Sequence, residues 1–133
     1  METLRQKPET IAIVPAAWSA AAERWLRLAM QHASLHDLKN QVQRQEAMLF
    51  HVQGDGELVG AMVLRVEGTE GVIVSAGGNL PGYDFTLDLL PHVEKLFINV
   101  KSVRIHTARP GLAKKLTALG YFPAEMVFVK DIQ

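Results

Sequence analysis

The chain has 133 residues, of which 48% are hydrophobic and 21% charged, a composition typical of a folded domain rather than of a disordered chain. Its 14 basic and 14 acidic residues cancel, so the charge gives no reason to expect a nucleic acid or an anionic membrane as a partner. The absence of cysteine excludes disulfides, thiolate catalysis and cysteine-based zinc sites. We therefore expect a single domain over residues 1–133.

The sequence carries no recognisable targeting or membrane segment. Residues 1–8 lack the apolar stretch of a secretory signal. The longest weakly polar run, residues 11–22, is interrupted by Pro15 and is too short to cross a bilayer. These features predict a cytoplasmic protein without a membrane partner.

The first third of the chain predicts one strand and two helices. Residues 11–14 form a short apolar run, typical of a buried strand, and Pro15 is expected to begin the helix that follows. Ser34 and Asp37 resemble a capping box, which predicts a second helix over residues 35–45.

The middle of the chain predicts three strands, over residues 47–53, 58–66 and 72–75. They are separated by the short turn sequences GDGE and GTEG. Strands joined by tight glycine turns are antiparallel neighbours, so we expect a three-stranded meander.

A helix is predicted after the glycine-rich residues 77–82, with apolar positions between Phe85 and Phe97. Pro91 either kinks this helix or lies in its first turn with Asp88 as the N-cap. The sequence leaves both alternatives open.

The end of the chain predicts a strand over residues 103–106, a helix that ends at Gly120, and a final strand over residues 124–132. The element order is thus β-α-α-β-β-β-α-β-α-β, which indicates an α/β protein. The connection through the helix should make the strands at residues 72–75 and 103–106 parallel.

Two segments carry a resemblance to a known family. Residues 56–64, GELVGAMVL, and residues 116–122, LTALGYF, are similar to the "dGeivGfa.l" hairpin and the "Y.klGF" ending of the GNAT (acyl-CoA N-acyltransferase) superfamily. The element order matches over nearly the whole chain. The resemblance implies an α+β fold with a central, mostly antiparallel sheet in which one parallel strand pair splays apart. Residues 103–112 also resemble small GNAT-like proteins of tailed phages and prophages.

The resemblance implies that acetyl-CoA lies between the splayed strands, with its diphosphate on a glycine loop and the N terminus of the next helix. This chain departs from the loop pattern, because Pro81 replaces a basic or amide residue and Asp84 and Thr86 stand on two glycine positions. A degenerate site is expected. Gly77-Gly78 and Gly82 either form a shifted phosphate loop or, as glycine pairs more often do, mark a bulge or turn. The candidate cofactor-binding residues are Val74, Ser75, Gly77, Gly78, Gly82 and Arg109.

No strong catalytic residue emerges. The tyrosine that serves as the acid in the family falls on Leu116, which cannot donate a proton. Tyr121 and His51 are the remaining candidates, and core packing and a solvated strand position are their respective alternatives. We expect no metal, because His32 and His36 have no evident third ligand.

Arg104, His106 and Arg109 form a basic group near the expected splay. They are suited to a phosphate or an acidic partner, and ordinary salt bridges are the alternative interpretation. The sequence thus predicts a GNAT-fold protein with weak or absent N-acetyltransferase activity toward an unknown small-molecule or protein amine. A non-catalytic, virion-associated interaction protein of phage or prophage origin is the alternative, and a homodimer is compatible with either.

Overall fold

The sheet of this protein places its five strands side by side in the order in which they occur along the chain. The computed structural model describes residues 7–28, 34–107 and 109–132. Within these residues the elements are β1 (Ile11–Ala16), α1 (Ala20–Arg27), α2 (Leu35–Gln43), β2 (Met48–Gly54), β3 (Glu57–Glu67), β4 (Glu70–Gly78), α3 (Phe85–Glu94), β5 (Ser102–Ile105) and α4 (Pro110–Ala118).

The strands β1 to β4 are antiparallel neighbours, and β5 lies parallel to β4 after the crossover through α3. Local turn chemistry explains the meander. Asp55 and Gly56 both have a positive φ, as a two-residue type I′ hairpin requires, and Gly68 has a φ of 60° at the first position of the next turn. The predicted three-stranded meander and the parallel strand pair are confirmed.

Helices cover both faces of the sheet, and each face has its own core. One cluster joins the sheet to α3 and α4 through residues such as Val52 and Leu89. The other joins it to α1 and α2 through Leu26, Leu38 and Ala61. Consecutive residues on a strand point to opposite faces, so each inner strand contributes to both cores. The mixed α+β fold class expected from the sequence is confirmed.

Pro15 is a strand residue, and the prediction that it begins a helix is wrong. It lies in β1, which is at one edge of the sheet, opposite Phe50. An edge strand tolerates proline because one side of the strand needs no backbone donor. The helix begins later, with Ser19 as its N-cap, whose side chain accepts a hydrogen bond from the amide of Ala22.

Ser34 caps α2 as predicted, and its hydroxyl accepts a hydrogen bond from the amide of Asp37 at 3.0 Å. The predicted end at residue 45 is two residues too late, because Gln45 has a φ of 61°, which no helix continues.

The helix α3 resolves the two alternatives for Pro91. Asp84 is the N-cap, and Pro91 lies inside the helix, where it is exposed to solvent. Asp88 is therefore a residue of the first turn and not the cap.

The final strand predicted over residues 124–132 is not formed. These residues have no assigned helix or strand and are all exposed. Their alternating apolar pattern provides strand propensity, but a strand also needs a partner for its backbone groups, and none of the described strands pairs with them.

Candidate functional site

The strands β4 and β5 separate partway along their length. They pair only from Glu70 opposite Ser102 to Ile73 opposite Ile105. Beyond Ile73, β4 continues for five residues with no described strand on that side. The expected splay of the parallel pair is present, and the second half of β4 borders the resulting gap.

A bulge bends β4 at the point where the gap opens. Val63 on β3 pairs with Ser75 and Leu64 pairs with Ile73, which leaves Val74 without a partner across the ladder. The side chain of Val74 packs against the core on the side of α1 and α2. The irregularity thus lies at Val74, and the interpretation of Gly77-Gly78 as the bulge is wrong.

Gly77 and Gly78 are regular strand residues at the end of β4, opposite Ala61 and Gly60. A Cβ atom on Gly78 would overlap the aromatic ring of Phe85, and one on Gly60 would lie 3.0 Å from the same ring. Gly60 and Gly78 therefore form a recess that holds the ring of Phe85, the first residue of α3. This packing accounts for Gly78 without any ligand.

Gly82 lies in the turn before α3 with a φ of 80°, which favours glycine. A Cβ atom here would lie 2.7 Å from the side chain of Lys7. The ammonium group of Lys7 is 4.3 Å from the centre of the Tyr83 ring, and the Tyr83 hydroxyl donates to the carbonyl of Pro8 at 3.0 Å. Residues 7 and 8 thus cover this turn.

Backbone amides at the N terminus of α3 are hydrogen-bonded to carboxylates of the same chain. Oδ1 of Asp84 accepts hydrogen bonds from the amides of Thr86 at 3.0 Å and Leu87 at 2.8 Å. The amide of Asp84 donates to Oδ2 of Asp88 at 2.6 Å. Lys115 on α4 places its ammonium group 2.7 Å from Oδ2 of Asp84.

This arrangement also sets the charge state of Asp84. The amide of Leu87 and the ammonium of Lys115 hold the pKa of the Asp84 carboxyl below its usual value. The carboxylate is consequently ionised at neutral pH. A helix N terminus holds a phosphate through free amides and a favourable dipole, and here the amides of Thr86 and Leu87 are already bonded to an anion. The residues present do not fit a diphosphate at this position unless Asp84 is displaced.

The three basic residues near the splay do not converge. Arg104 bonds to Glu67 and lies 3.0 Å from Glu70, so its charge is balanced on the sheet. Arg109 donates from Nη2 to the carbonyl of Leu28 at 3.1 Å, which connects the start of α4 to the end of α1. His106 follows the last residue of β5 and is exposed. Arg104 therefore forms ordinary salt bridges, as the alternative interpretation predicted.

His51 lies on β2 between Val14 and Ala61. Strand alternation puts it on the same face as Leu49, which belongs to the core beside α1 and α2. Its Nε2 atom is buried and has no hydrogen-bond partner among the described residues. The solvated position considered for this histidine is not what the structure shows.

Tyr121 lies on the opposite face, packed against the core beside α3 and α4. Its hydroxyl donates to Oε2 of Glu94 at 2.5 Å, and burial, followed by this carboxylate, raises the pKa of the tyrosine. Glu94 is the last residue of α3, about 15 Å along the helix axis from Asp84, so the hydroxyl of Tyr121 lies at the opposite end of this helix. The sheet separates Tyr121 from His51, and the two candidates cannot act together.

Leu116 is 7% exposed and belongs to the same core, so the family's acid position contributes only packing. In the described part of the chain no group of three histidine, aspartate or glutamate side chains could hold a metal. His36 contacts Asn40 at 3.3 Å, and His32 is outside the described residues. No helix within those residues is long and apolar enough to cross a membrane.

Sequence reasoning missed Lys115 and the cover formed by residues 7 and 8. The contact between Lys115 and Asp84 joins two helices, and no pattern of neighbouring residues in the sequence predicts such a contact. The capping role of Asp84 did have a signal, because an aspartate directly before an apolar helical run is a typical N-cap.

No family model and no curated protein matches this sequence. Comparison of the structure with solved structures gives clear matches. A Bacillus subtilis acetyltransferase in complex with CoA is 17% identical with a TM-score of 0.65, covering 84% of this chain and 76% of its own. A GNAT family acetyltransferase from Elizabethkingia anophelis with acetyl-CoA bound is 18% identical with a TM-score of 0.64, covering 85% and 75%.

A ribosomal-protein-alanine N-acetyltransferase from Brucella melitensis is 15% identical with a TM-score of 0.62 and covers 93% of this chain and 100% of its own. At such identities the likeness concerns the fold and not the activity. The strand order, the splayed parallel pair and these matches together lead to one conclusion: this chain has the GNAT fold.

Proposed function

We propose that this protein is an acyltransferase-like member of the GNAT fold with weak or absent acetyl-CoA chemistry. The observation that carries the proposal is the closed N terminus of α3. The ionised carboxylate of Asp84 accepts hydrogen bonds from the amides of Thr86 and Leu87 and forms an ion pair with Lys115. An incoming diphosphate meets an anion where it needs free donors, and two unit charges repel by about 1 kcal/mol at 4 Å even in bulk water.

The surroundings of α3 support the same proposal. The recess at Gly60 and Gly78 is filled by Phe85, and the space beside Gly82 is filled by Lys7. Arg109, which was a candidate for the cofactor, bonds instead to the carbonyl of Leu28. Of the candidate cofactor-binding residues, Val74, Ser75 and Gly77 lie in the part of β4 that has no described strand beside it on the β5 side. The family resemblance implies a cofactor in this gap, and the solved neighbours with CoA or acetyl-CoA bound support a test of this chain for residual cofactor binding.

The catalytic candidates give little support for efficient acetyl transfer. Leu116 has no proton to give, and the hydroxyl of Tyr121 is committed to Glu94. The Nε2 atom of His51 is buried and has no hydrogen-bond partner among the described residues, and the residue lies on the opposite face of the sheet from Tyr121. Any activity toward an amine would therefore rest mainly on positioning.

Titration with acetyl-CoA tests this proposal, by calorimetry and by thermal unfolding. A cofactor at 100 times its dissociation constant adds about 2.7 kcal/mol of stability, which raises the melting temperature by several degrees. We expect no saturable heat and no such shift for the natural sequence at millimolar cofactor. The variant Asp84→Gly frees the amides, and Lys115→Met serves as a control that removes charge without freeing them. Tight, saturable binding by the natural sequence would contradict the proposal.

A second candidate function is a non-catalytic interaction protein, including the virion-associated role suggested by the phage-like segment. The observation that favours it is the exposed apolar C-terminal part of the chain, where Phe128 is 87% and Ile132 84% exposed. Such side chains are typical of a surface that binds another protein. Cofactor-free protein that purifies with a defined oligomeric state would support it, and a strictly monomeric chain would count against it.

A further inference from the structure

The described residues before β1 are held to the rest of the protein at two places. We define residues 7–10 as the strap. Its second half is anchored to the β2–β3 turn, because Asp55 accepts hydrogen bonds from two strap amides and donates its own amide to the carbonyl of Thr10 at 2.8 Å. Its first half is anchored to the turn before α3, where the Tyr83 hydroxyl donates to the carbonyl of Pro8 at 3.0 Å. The strap therefore connects two turns that are far apart in the sequence.

The side chains of the strap cover the turn before α3. Pro8 is buried, and it meets the side chain of Leu80 over Gly54. A Cβ atom on Gly54 would lie 3.0 Å from Cγ of Pro8 and 3.4 Å from Cδ1 of Leu80. The stem of Lys7 lies over Gly82, where a Cβ atom would come within 2.7 Å of it. Leu80 and Gly82, which belong to this turn, thus lie beneath the strap.

The turn beneath the strap uses its backbone donors within the chain. The amide of Asn79 bonds to the carbonyl of Val59 at 2.9 Å, and the amide of Tyr83 bonds to the carbonyl of Leu80 at 3.0 Å. A turn that holds a phosphate group presents several free amides to it. This turn would therefore have to change conformation before it could hold a phosphate. Because the strap lies against the turn, such a change would have to displace the strap.

The contacts between the strap and this turn are of a kind that breaks without unfolding the domain. Tyr83 takes part in two of them, the hydrogen bond to Pro8 and a contact in which the ammonium group of Lys7 lies 4.3 Å from the centre of its ring. A neutral hydrogen bond and an exposed cation–π contact each change an equilibrium by roughly twofold to tenfold. Both can open locally while the separate anchor at Asp55 keeps β1 in place.

We propose that the strap is an internal cover that keeps the turn before α3 closed, so that the diphosphate of CoA reaches this turn only after the contacts of Lys7 and Tyr83 have been released. The inference rests on the proposed function and deepens it, because it identifies a second feature of this chain, besides Asp84, that excludes the cofactor. In the closed form the strap and the turn hold each other. In the open form the turn is free to rearrange.

A direct role for Lys7 in binding phosphate predicts the opposite result. A lysine that holds a phosphate contributes its charge, so its removal weakens binding. A lysine that covers the turn excludes the ligand with its stem, so its removal strengthens binding. Lys7→Gly removes both the charge and the stem. Lys7→Met removes the charge but keeps an unbranched stem over Gly82, and this variant separates the two effects.

Cysteine labelling measures the opening of the strap without any cofactor, since the chain has no cysteine of its own. Leu80→Cys places a thiol beneath the strap, and Val52→Cys, at a position on β2 that is 0% exposed, reports unfolding of the core. Each is compared with and without the double change Lys7→Gly, Tyr83→Phe. We expect a thiol reagent to react on the order of tenfold faster at residue 80, and at an unchanged rate at residue 52.

The matched control for labelling is Lys101→Gly, which makes the same substitution at an exposed lysine in the loop before β5. It should change neither rate. Equal acceleration at residues 80 and 52 would mean that the strap only adds to the stability of the whole domain, and this result would overturn the proposal. An unchanged rate at residue 80 would overturn it as well.

Calorimetric titration with CoA then tests whether the strap limits access. The comparison is made in the Asp84→Gly variant, because the natural sequence is expected not to bind. Adding Lys7→Gly with Tyr83→Phe should tighten CoA binding on the order of tenfold, and adding Lys7→Met should change it much less. Weaker or unchanged binding with the strap opened, or no binding by any of these variants, would overturn the strap as a cover. Tight binding by the natural sequence would instead contradict the proposed function, whereas the labelling rates concern the strap alone.

Discussion

The ammonium group of Lys115 lies 2.7 Å from Oδ2 of Asp84, while Oδ1 of the same carboxylate bonds to two amides of α3. One side chain thus caps α3 and connects it to α4. The start of α3 is thereby held to the last turn of α4.

Substitution of Asp84 should show both roles. Asp84→Ala removes the cap and should cost about 1 kcal/mol of unfolding free energy, as loss of an aspartate N-cap does. Asp84→Asn keeps an acceptor for the amides of Thr86 and Leu87 but loses the charge opposite Lys115, and should cost less. Urea unfolding of the two variants beside the natural protein measures the difference. Equal stability of all three proteins would contradict the capping role.

The lowered pKa of Asp84 predicts that the stability of the protein depends on pH in the acid range. Its pKa is lowered in the folded protein, so its contribution to stability is full above its unfolded pKa of about 3.9 and is lost as the pH falls through its folded value. The natural protein should therefore exceed Asp84→Asn in stability at pH 7 and lose that advantage below about pH 3.9. Urea midpoints at a series of pH values give the comparison. An advantage that is unchanged at low pH would contradict it.

Gly78→Ala should destabilise the protein by roughly 1–3 kcal/mol, the usual cost of forcing an extra carbon into a filled core. The new Cβ would overlap the ring of Phe85. Phe85→Leu in the same chain should recover part of the loss. Gly111→Ala is the matched control, because a Cβ there meets nothing within 4 Å and α4 gains a better helix former. Thermal unfolding measures all four proteins.

Tyr121 should ionise at a higher pH than a free tyrosine, because burial and Glu94 both raise its pKa. Its stabilising effect is complete below the unfolded pKa of about 10 and is lost as the pH rises above that value. Absorbance titration of a Tyr83→Phe variant isolates Tyr121, since the sequence has only two tyrosines. Ionisation at or below pH 10 in the folded protein would exclude the buried bond to Glu94.

Asp55 should stabilise the fold through its side chain as well as through its backbone conformation. Its Oδ1 accepts hydrogen bonds from the amides of Glu9 at 3.1 Å and Thr10 at 2.9 Å, and its φ is 51°. Asp55→Gly keeps the turn conformation and loses the bonds, so it should cost about 1 kcal/mol. Asp55→Ala adds backbone strain and should cost more. Guanidinium unfolding ranks the two, and the reverse order would contradict this account.

The parts of the fold that follow from local chemistry could be predicted from the sequence. Asp55, Gly56 and Gly68 define two tight turns, and these turns alone require antiparallel neighbours. Ser34 marks a helix start in the same local manner. The order of the first nine elements followed from such local patterns as well. The family resemblance then implied the splay between β4 and β5, which the structure shows.

The errors came from relations between distant residues. Pro15 follows an apolar run, and only the sheet order shows that it belongs to an edge. Residues 124–132 alternate like a strand, but strand formation depends on a partner that the local sequence does not specify. At the site, the anion Asp84 was anticipated near the expected phosphate position, whereas its bond to Lys115 depends on the packing of α3 against α4.

Pro15 also limits the addition of another strand to this sheet. A strand laid along β1 would need an unbroken row of backbone donors and acceptors, and the ring of Pro15 removes one donor from that row. We therefore expect the β1 edge to resist pairing with strands of other chains, which is one way in which a folded sheet avoids aggregation.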